Sequence, residues 1–496
     1  MSSAPVPAGK GTFRSVGWTP RLALSLISLV CLVESASFTN VSTAIAIPKI
    51  TNHFHTTQSG WLLTANLLAG AASAPLLGKL ADLYGKRRMI WISLVVAGLG
   101  EILGATATVF WMMIVGHILL GPLTGLLFLC YSLIRDVYPK KLVPFAASVS
   151  VTGIGILLVG APIVIGVLLD HLGFRSLYLF NLSWLVVMGT LMLLTTPETG
   201  VRRPARIDAM GMLLLAGGVT LILLPVSKGA EWGWGSARAL GLMIGGVVAL
   251  GVYVVVSLRI PEPVLNLRLL VGRTLLLGVL GGGVAYGLAA ITTTLVGLLA
   301  MTPRHLGGSY GLGLSATEYG RLVQGPFALA GVVGGVLVGV LVRRTGPRLM
   351  MYIGLGLLTS GSLALMLAHD TVGELLVGAV LFGLGLGWAT GAVPNLVIAS
   401  TPVSEQGSMS SAGGLSTGVI GATMTTVAFA IMTSTATSPK PGVLVYGDSG
   451  ISTSLLVFAA LAFVTLLIGA TLLRPRDRGA TEERAAASAQ EPALPV

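Results

Sequence analysis

The chain has 496 residues, of which 54% are hydrophobic and 10% charged, with a mean hydropathy of +0.90. An ordinary soluble domain carries roughly a quarter charged residues, so a water-soluble fold is excluded. The net charge of +12 does not make a nucleic-acid binder: that role needs basic residues on one folded face with aromatic platforms or a reading helix, and here they lie in short loops between apolar runs.

The residues up to Pro20 are polar and lead into a full-length apolar run with no small-residue cleavage site, which reads as a retained first helix. Runs long enough to span ~30 Å of hydrocarbon at ~1.5 Å per residue then recur at 22–47, 61–81, 89–108, 111–133, 145–169, 177–196, 210–226, 240–258, 275–301, 322–342, 349–368, 375–399, 409–432 and 455–473. The fold class expected is an all-α integral membrane protein of fourteen spans. Its divisions are a tail at 1–20, a six-helix bundle at 21–196, an inserted helix pair with linkers at 197–272, a second six-helix bundle at 273–473 and a tail at 474–496.

An even span count puts both termini on one side, and the alternating loops can then be compared for charge. The set that includes the termini holds 23 of the 30 Lys and Arg; the other set holds 7, namely Lys49, Arg175, Lys228, Arg238, Arg304, Arg321 and Lys440. By the positive-inside rule the termini are cytoplasmic. The two cysteines, Cys31 and Cys130, fall inside apolar runs, so neither a disulfide framework nor a thiolate metal site is indicated.

The chain also repeats itself. GKLADLYGKR from Gly78 to Arg87 and GVLVRRTGPR from Gly339 to Arg348 match in Gly, Leu, Gly and Arg at the same offsets. Each leaves a span on the same side, so two related bundles packed about a central site are expected, the plan of secondary transporters that alternate access. In the first copy Gly85 permits a tight turn, Asp82 can accept hydrogen bonds, and Lys86, Arg87 and Arg88 are expected to anchor the loop at anionic headgroups.

The segment GKLADLYGKRRMI resembles the signature loop between helices two and three of the major facilitator superfamily. The fourteen-span layout resembles its drug:proton antiporter branch, as do TPVSEQGSMSSAGG from Thr401, EWGWG from Glu231 and PEPVLNLRLL from Pro261. The likeness runs from about Leu22 to Leu473. It implies a gating role for Gly78, Asp82, Gly85, Lys86, Arg87 and Arg88, and for Gly339, Arg343, Gly346 and Arg348 in the second copy. Span five resembles the family's antiporter helix through Gly155, Gly160, Pro162 and Gly166, but Ala161 intervenes between Gly and Pro and the closing Gly pair is missing.

The family's first helix has an Asp nine residues before its closing Pro, where this chain has Thr39. Its fourth has an Arg opening Arg-x-x-x-Gly, where this chain has His117. Three ionisable groups lie well inside spans instead: Glu34, Glu101 and His117. Such groups in hydrocarbon are costly and mark transport paths. Glu34 lies about 20 Å from either end of its span, near the midplane. Glu101 and His117 flank Val109 symmetrically on consecutive spans, at similar depth and within possible reach of each other. A buried neutral Glu34 satisfied by Ser35 or Ser37, and a structural hydrogen bond at Glu101 and His117, are the plainer readings.

No metal site is indicated by His53, His55 and His305, Trp232 and Trp234 read as interfacial anchors, and no phosphate loop follows the Gly-rich runs. The sequence therefore predicts a plasma-membrane secondary transporter, a monomer in lipid with no cofactor beyond a proton gradient, exporting amphipathic or cationic small molecules. A same-fold carrier of a metabolite, lipid or peptide is the alternative; an integral membrane enzyme or a sensor is remote. Cys introduced at Ser236 or Ser309 is expected to react with an impermeant thiol reagent added outside, and Cys at Ser488 is not; inverted labelling would overturn the orientation and mixed labelling the span count.

Overall fold

In the computed structural model the described residues are 18–139, 142–199, 208–260, 263, 273–307, 310–400, 406–440 and 443–472. Helices dominate because a peptide group in hydrocarbon has no water to bond and must be satisfied within its own segment. The first group comprises α1 (Pro20–Phe54), α2 (Gly60–Tyr84), α3 (Lys86–Thr106), α4 (Phe110–Leu120), α5 (Leu126–Val137), α6 (Val143–Leu172) and α7 (Arg175–Thr195). A pair, α8 (Ala209–Trp232) and α9 (Ala237–Arg259), follows. The last group comprises α10 (Arg273–Met301), α11 (Arg304–Gly307), α12 (Ala316–Tyr319), α13 (Gly325–Thr345), α14 (Pro347–Leu367), α15 (Val372–Ser400), α16 (Gln406–Ser434) and α17 (Asp448–Thr471).

Among the described residues, 12 helices are long and apolar enough to cross a membrane, and shorter apolar stretches at Phe110–Gly125 and Val159–Leu172 lie within the runs expected as spans four and five. Three details depart from the sequence reading. Pro48 does not close α1, which continues through it to Phe54. Span four is two helices joined by a 3₁₀ turn at Gly121–Gly125, where Pro122 removes a helical donor. A short antiparallel hairpin of β1 (Thr437–Lys440) and β2 (Val443–Val445) stands between α16 and α17, a small addition to an otherwise all-helical fold.

Within the first group α1 packs on α6 and α7, and α3 on α4 and α7; within the last, α15 packs on α13 and α14, and α10 on α16 and α17. The groups meet along α2 with α16, α6 with α12 and α13, and α1 with α10, while α8 lies against α16 and α2 at the edge of that seam. α10 is buried along most of its apolar window, whereas α9 exposes Ile244, Val247, Val248 and Val252. In water that stripe would be an aggregation liability; against lipid it is the required surface.

The two copies of the repeated loop share one backbone device. Gly85 joins α2 to α3 at φ 109°, ψ 140°, and Gly346 joins α13 to α14 at φ 82°, ψ 153°. Both are in the region glycine alone enters readily, so the sequence repeat is a structural repeat.

The seam closes at the end remote from the start of α1. There α6 crosses α12 so closely that a Cβ on Gly166 would lie 2.6 Å from the Ala316 carbonyl oxygen and from the Thr317 Cα. At the same crossing one on Gly320 would lie 2.4 Å from the Pro162 carbonyl oxygen. Asp170, at the end of α6, accepts hydrogen bonds from the Ala316 N–H at 3.2 Å, the Thr317 N–H at 2.8 Å and the Thr317 hydroxyl at 2.8 Å. Lys49 of α1 completes the cluster, donating to the Leu169 carbonyl at 2.8 Å and pairing with Asp170 at 3.3 Å. Burial works against the Asp170 charge, but each charge-assisted bond contributes on the order of 1.5–3 kcal/mol. A protein carrying Asp170→Cys and Thr317→Cys is expected to crosslink in the membrane on mild oxidation; free thiols after oxidation would show that α6 and α12 do not meet.

Candidate functional site

Glu34 is 6% exposed, and its Oε1 has no hydrogen-bond partner among the described residues. Of the two serines that the plainer reading offered this carboxyl, Ser35 donates instead to the Cys31 carbonyl, one turn back on its own helix. An unpaired buried carboxyl oxygen costs on the order of 1–3 kcal/mol. Other buried side-chain atoms without a partner among the described residues include the Asn66 carbonyl on α2, the Thr292 and Thr294 hydroxyls on α10, the Trp388 indole on α15 and the Thr425 hydroxyl on α16. These helices include ones that meet across the seam, such as α2 and α16. The sequence reading missed them, since hydroxyls and an indole within apolar runs carry no pattern of their own.

Glu101 and His117 are fully buried but do not bond each other. Glu101 Oε1 accepts from the Asn181 side-chain amide of α7, and the same amide donates to Thr39 Oγ1 at 2.9 Å. Thr39 in turn donates to the Ser35 carbonyl at 2.9 Å. His117 Nδ1 faces the Met113 carbonyl at 2.9 Å and Nε2 faces Thr43 Oγ1 at 3.1 Å. A carbonyl only accepts, so Nδ1 carries a hydrogen, and in the neutral ring Nε2 accepts from Thr43. The ring lies edge-on to Tyr178, centroids 5.9 Å apart.

The two groups are thus joined through α1, by threonines one turn apart: Glu101 reaches Thr39 through Asn181 of α7, and His117 meets Thr43 directly. Thr39, where the resembled family has its Asp, belongs to this network; Asn181 had no sequence signal, being a single amide in an apolar run. Glu34 stands five residues before Thr39, about 140° around the helix at ~100° per residue. It therefore faces away from the cluster.

The signature loop is held within the first group. Lys86 is 3% exposed and paired with Asp136 of α5, which also accepts from the Thr199 hydroxyl. Arg87 donates to the Leu193 carbonyl at 2.8 Å, and the Arg87 and Arg88 N–H groups donate to Glu198 at 3.0 and 2.9 Å. The expected headgroup anchor is therefore wrong for Lys86. A buried ammonium needs a full counter-charge, and Asp136 supplies it; Glu198 caps α3, where an anion meets the exposed N–H groups and the helix dipole. Neither acid was singled out from the sequence, because each lies far along the chain from the loop it serves.

In the second copy Arg348 donates to the Thr274 hydroxyl. Added Cβ atoms at Gly78, Gly339 and Gly346 would meet nothing within 4 Å, so those glycines are not required by packing. In the antiporter-like helix Gly166 makes the close crossing, Pro162 is buried beside Gly320, and Gly160 faces open space. The side chains of Asp82 and Arg343, and the surroundings of Gly155, lie outside what is described. Among the described residues no cluster of His, Cys, Asp or Glu has a metal-binding arrangement.

Comparison with known proteins agrees with this architecture. The family model for the Major Facilitator Superfamily matches residues 27–426. The probable actinorhodin transporter of Streptomyces coelicolor is 30% identical over 363 residues, 71% of this chain and 61% of that protein, so the chain spans about three-fifths of that relative. The tetracenomycin C resistance and export protein of Streptomyces glaucescens is 25% identical over 442 residues, 84% of this chain and 79% of that protein. A crystal structure of a POT family transporter in complex with 5-aminolevulinic acid superposes with a TM-score of 0.64, covering 92% of this chain and 97% of that one at 12% identity, which shows the shared fold. With its membrane-length helices and its repeated glycine-hinged loop, the chain is a multi-pass membrane protein that belongs to the Major Facilitator Superfamily, a family of transporters and not of enzymes.

Proposed function

We propose that this chain exports amphipathic or cationic small molecules in exchange for protons, with both termini in the cytoplasm of a cell whose plasma membrane holds it. The observation that carries the reading is Glu34, a nearly buried carboxyl near the middle of α1 whose Oε1 has no hydrogen-bond partner among the described residues. A cation or water entering the seam would supply that partner, and release would return the proton. The gradient supports such a cycle, since one charge crossing the membrane is worth ~2.3 kcal/mol per 100 mV. The likeness to a tetracenomycin C resistance and export protein supports export over uptake, and the likeness to a probable actinorhodin transporter supports a natural-product cargo.

In this reading residues 21–196 and 273–473 rock as two bundles about the seam, with 197–272 as the inserted pair. Support comes from where the bundles touch. The bonds from Asp170 to Thr317 and from Thr64 to Thr426 lie toward the end remote from the start of α1, as do the Gly166, Gly320 and Gly60 contacts. That arrangement suits a state open toward the cytoplasm. Gly78, Asp82, Gly85 and their partners then act when the cytoplasmic side closes, as the family resemblance implies, and Gly339 to Arg348 act in the second bundle.

Two experiments test this. In a host stripped of its own pumps, efflux of ethidium and a panel of cationic antibiotics is expected to depend on the chain and to stop with a protonophore. Glu34→Gln keeps the shape, removes the ionisation, and is expected to cut that efflux at least tenfold at normal expression; wild-type efflux that still responds to the protonophore would make Glu34 structural. Gly85→Val is expected to abolish transport while the protein stays in the membrane, because a β-branched residue at φ 109° is strained and its Cβ would lie 2.9–3.0 Å from the Glu198 carboxylate. Unaltered transport by that variant would reduce the loop to a connector.

A further inference from the structure

We infer that Asn181 and Thr39 are positioning residues that tie the ionisation of Glu101 to the packing of α1 against α7. The inference rests on the proton-coupled reading for its purpose but not for its test. Two facts support it. Asn181, 2% exposed, uses one amide nitrogen to reach both Glu101 Oε1 on α3 and Thr39 Oγ1 on α1. Thr39 has committed its own hydrogen to the Ser35 carbonyl, so toward Asn181 it only accepts. The arrangement is therefore directional: α7 donates both ways, and what Glu101 takes determines how the amide is held against α1.

An ionised Glu101 accepts a charge-assisted hydrogen bond, about twice as strong as a neutral one. It fixes the amide plane and with it the second hydrogen aimed at Thr39. A protonated Glu101 is a weaker acceptor and carries a donor of its own. The amide is then free to turn, and its grip on α1 loosens. Glu34 lies five residues before Thr39 on that same helix, so α1 carries the state of a buried acid on one of its faces to a second acid on another. Packed on the helix of Glu101 are α4, whose His117 is bonded to Thr43 of α1, and α7, whose Tyr178 hydroxyl has no partner among the described residues. Neither intervenes between Asn181 and Thr39.

One residue reports directly on this contact. Trp184, one turn beyond Asn181 on α7, donates its indole N–H to the Cys31 carbonyl of α1 at 2.8 Å. In the full chain in lipid nanodiscs, with the other tryptophans replaced by Phe, the emission of Trp184 is expected to shift reversibly on titration between alkaline and mildly acidic pH. Glu101→Gln and Thr39→Val are each expected to remove at least nine-tenths of that shift. Thr39→Ser, which keeps the hydroxyl, is expected to retain it, as are Glu34→Gln and His117→Gln, which leave the bridge intact. No shift in the parent protein, or a shift that survives both Glu101→Gln and Thr39→Val, overturns the inference. So does loss in Glu34→Gln or His117→Gln alone, since the titrating group would then lie elsewhere. Because no substrate is needed, a chain that fails to export cations in cells still gives an answer here.

Discussion

A membrane-spanning protein is constrained first by its backbone, since each buried N–H and C=O must be satisfied in a medium that offers no hydrogen bonds. Here that constraint yields long helices wherever the chain is apolar, and it concentrates every deviation at positions where another group takes over. The 3₁₀ turn at Gly121–Gly125 and the π turn at Gly320–Gln324 are two such places. Asp170 is a third: its carboxylate meets the free N–H groups at the start of α12, which no preceding turn can satisfy. A helix end thus becomes a fastening between the two groups of helices.

Side-chain polarity follows the same economy. Within the first group the ionic pairs lie at the face that carries the start of α1, where Lys86 meets Asp136, and at the opposite face, where Lys49 meets Asp170. Between them the chain keeps only Glu34, Glu101 and His117 as ionisable groups on α1, α3 and α4 at depth. Two of the three are anchored to α1 by neutral partners. Glu34, on a different face of that helix, keeps a carboxyl oxygen for which the described residues offer nothing. Under the proposed function that oxygen is the one left for the cargo or the proton.

The repeat gives this arrangement its mechanical sense. Gly85 and Gly346 hold consecutive helices at the same unusual backbone angles in the two groups, so each group has a stiff corner on the same side of the membrane. On the other side the groups touch through Gly166 and Gly320. The seam is thus tight at the end opposite those corners, which is the arrangement the proposed rocking of the two groups requires.

Much of this was legible in the sequence. Apolar run length revealed the membrane helices, and GKLADLYGKR with its echo near Arg348 located the corners, because length and glycine placement are properties of local chain. Glu34, Glu101 and His117 stood out because charge in hydrocarbon is rare. The partners were not legible. Lys86 was expected at the lipid surface but sits on Asp136, and Glu101 and His117 were expected to approach each other but each bonds α1 through Asn181 or Thr43. The reason is physical. In a soluble helix the apolar stripe identifies the buried face, but in lipid both the protein-facing and the lipid-facing sides are apolar, and helices such as α10 read the same all round. The sequence by itself therefore determined that the chain is built of membrane-length helices and where the costly groups lie along them, and only tertiary packing decided where those helices break, which way each one turns and what it meets.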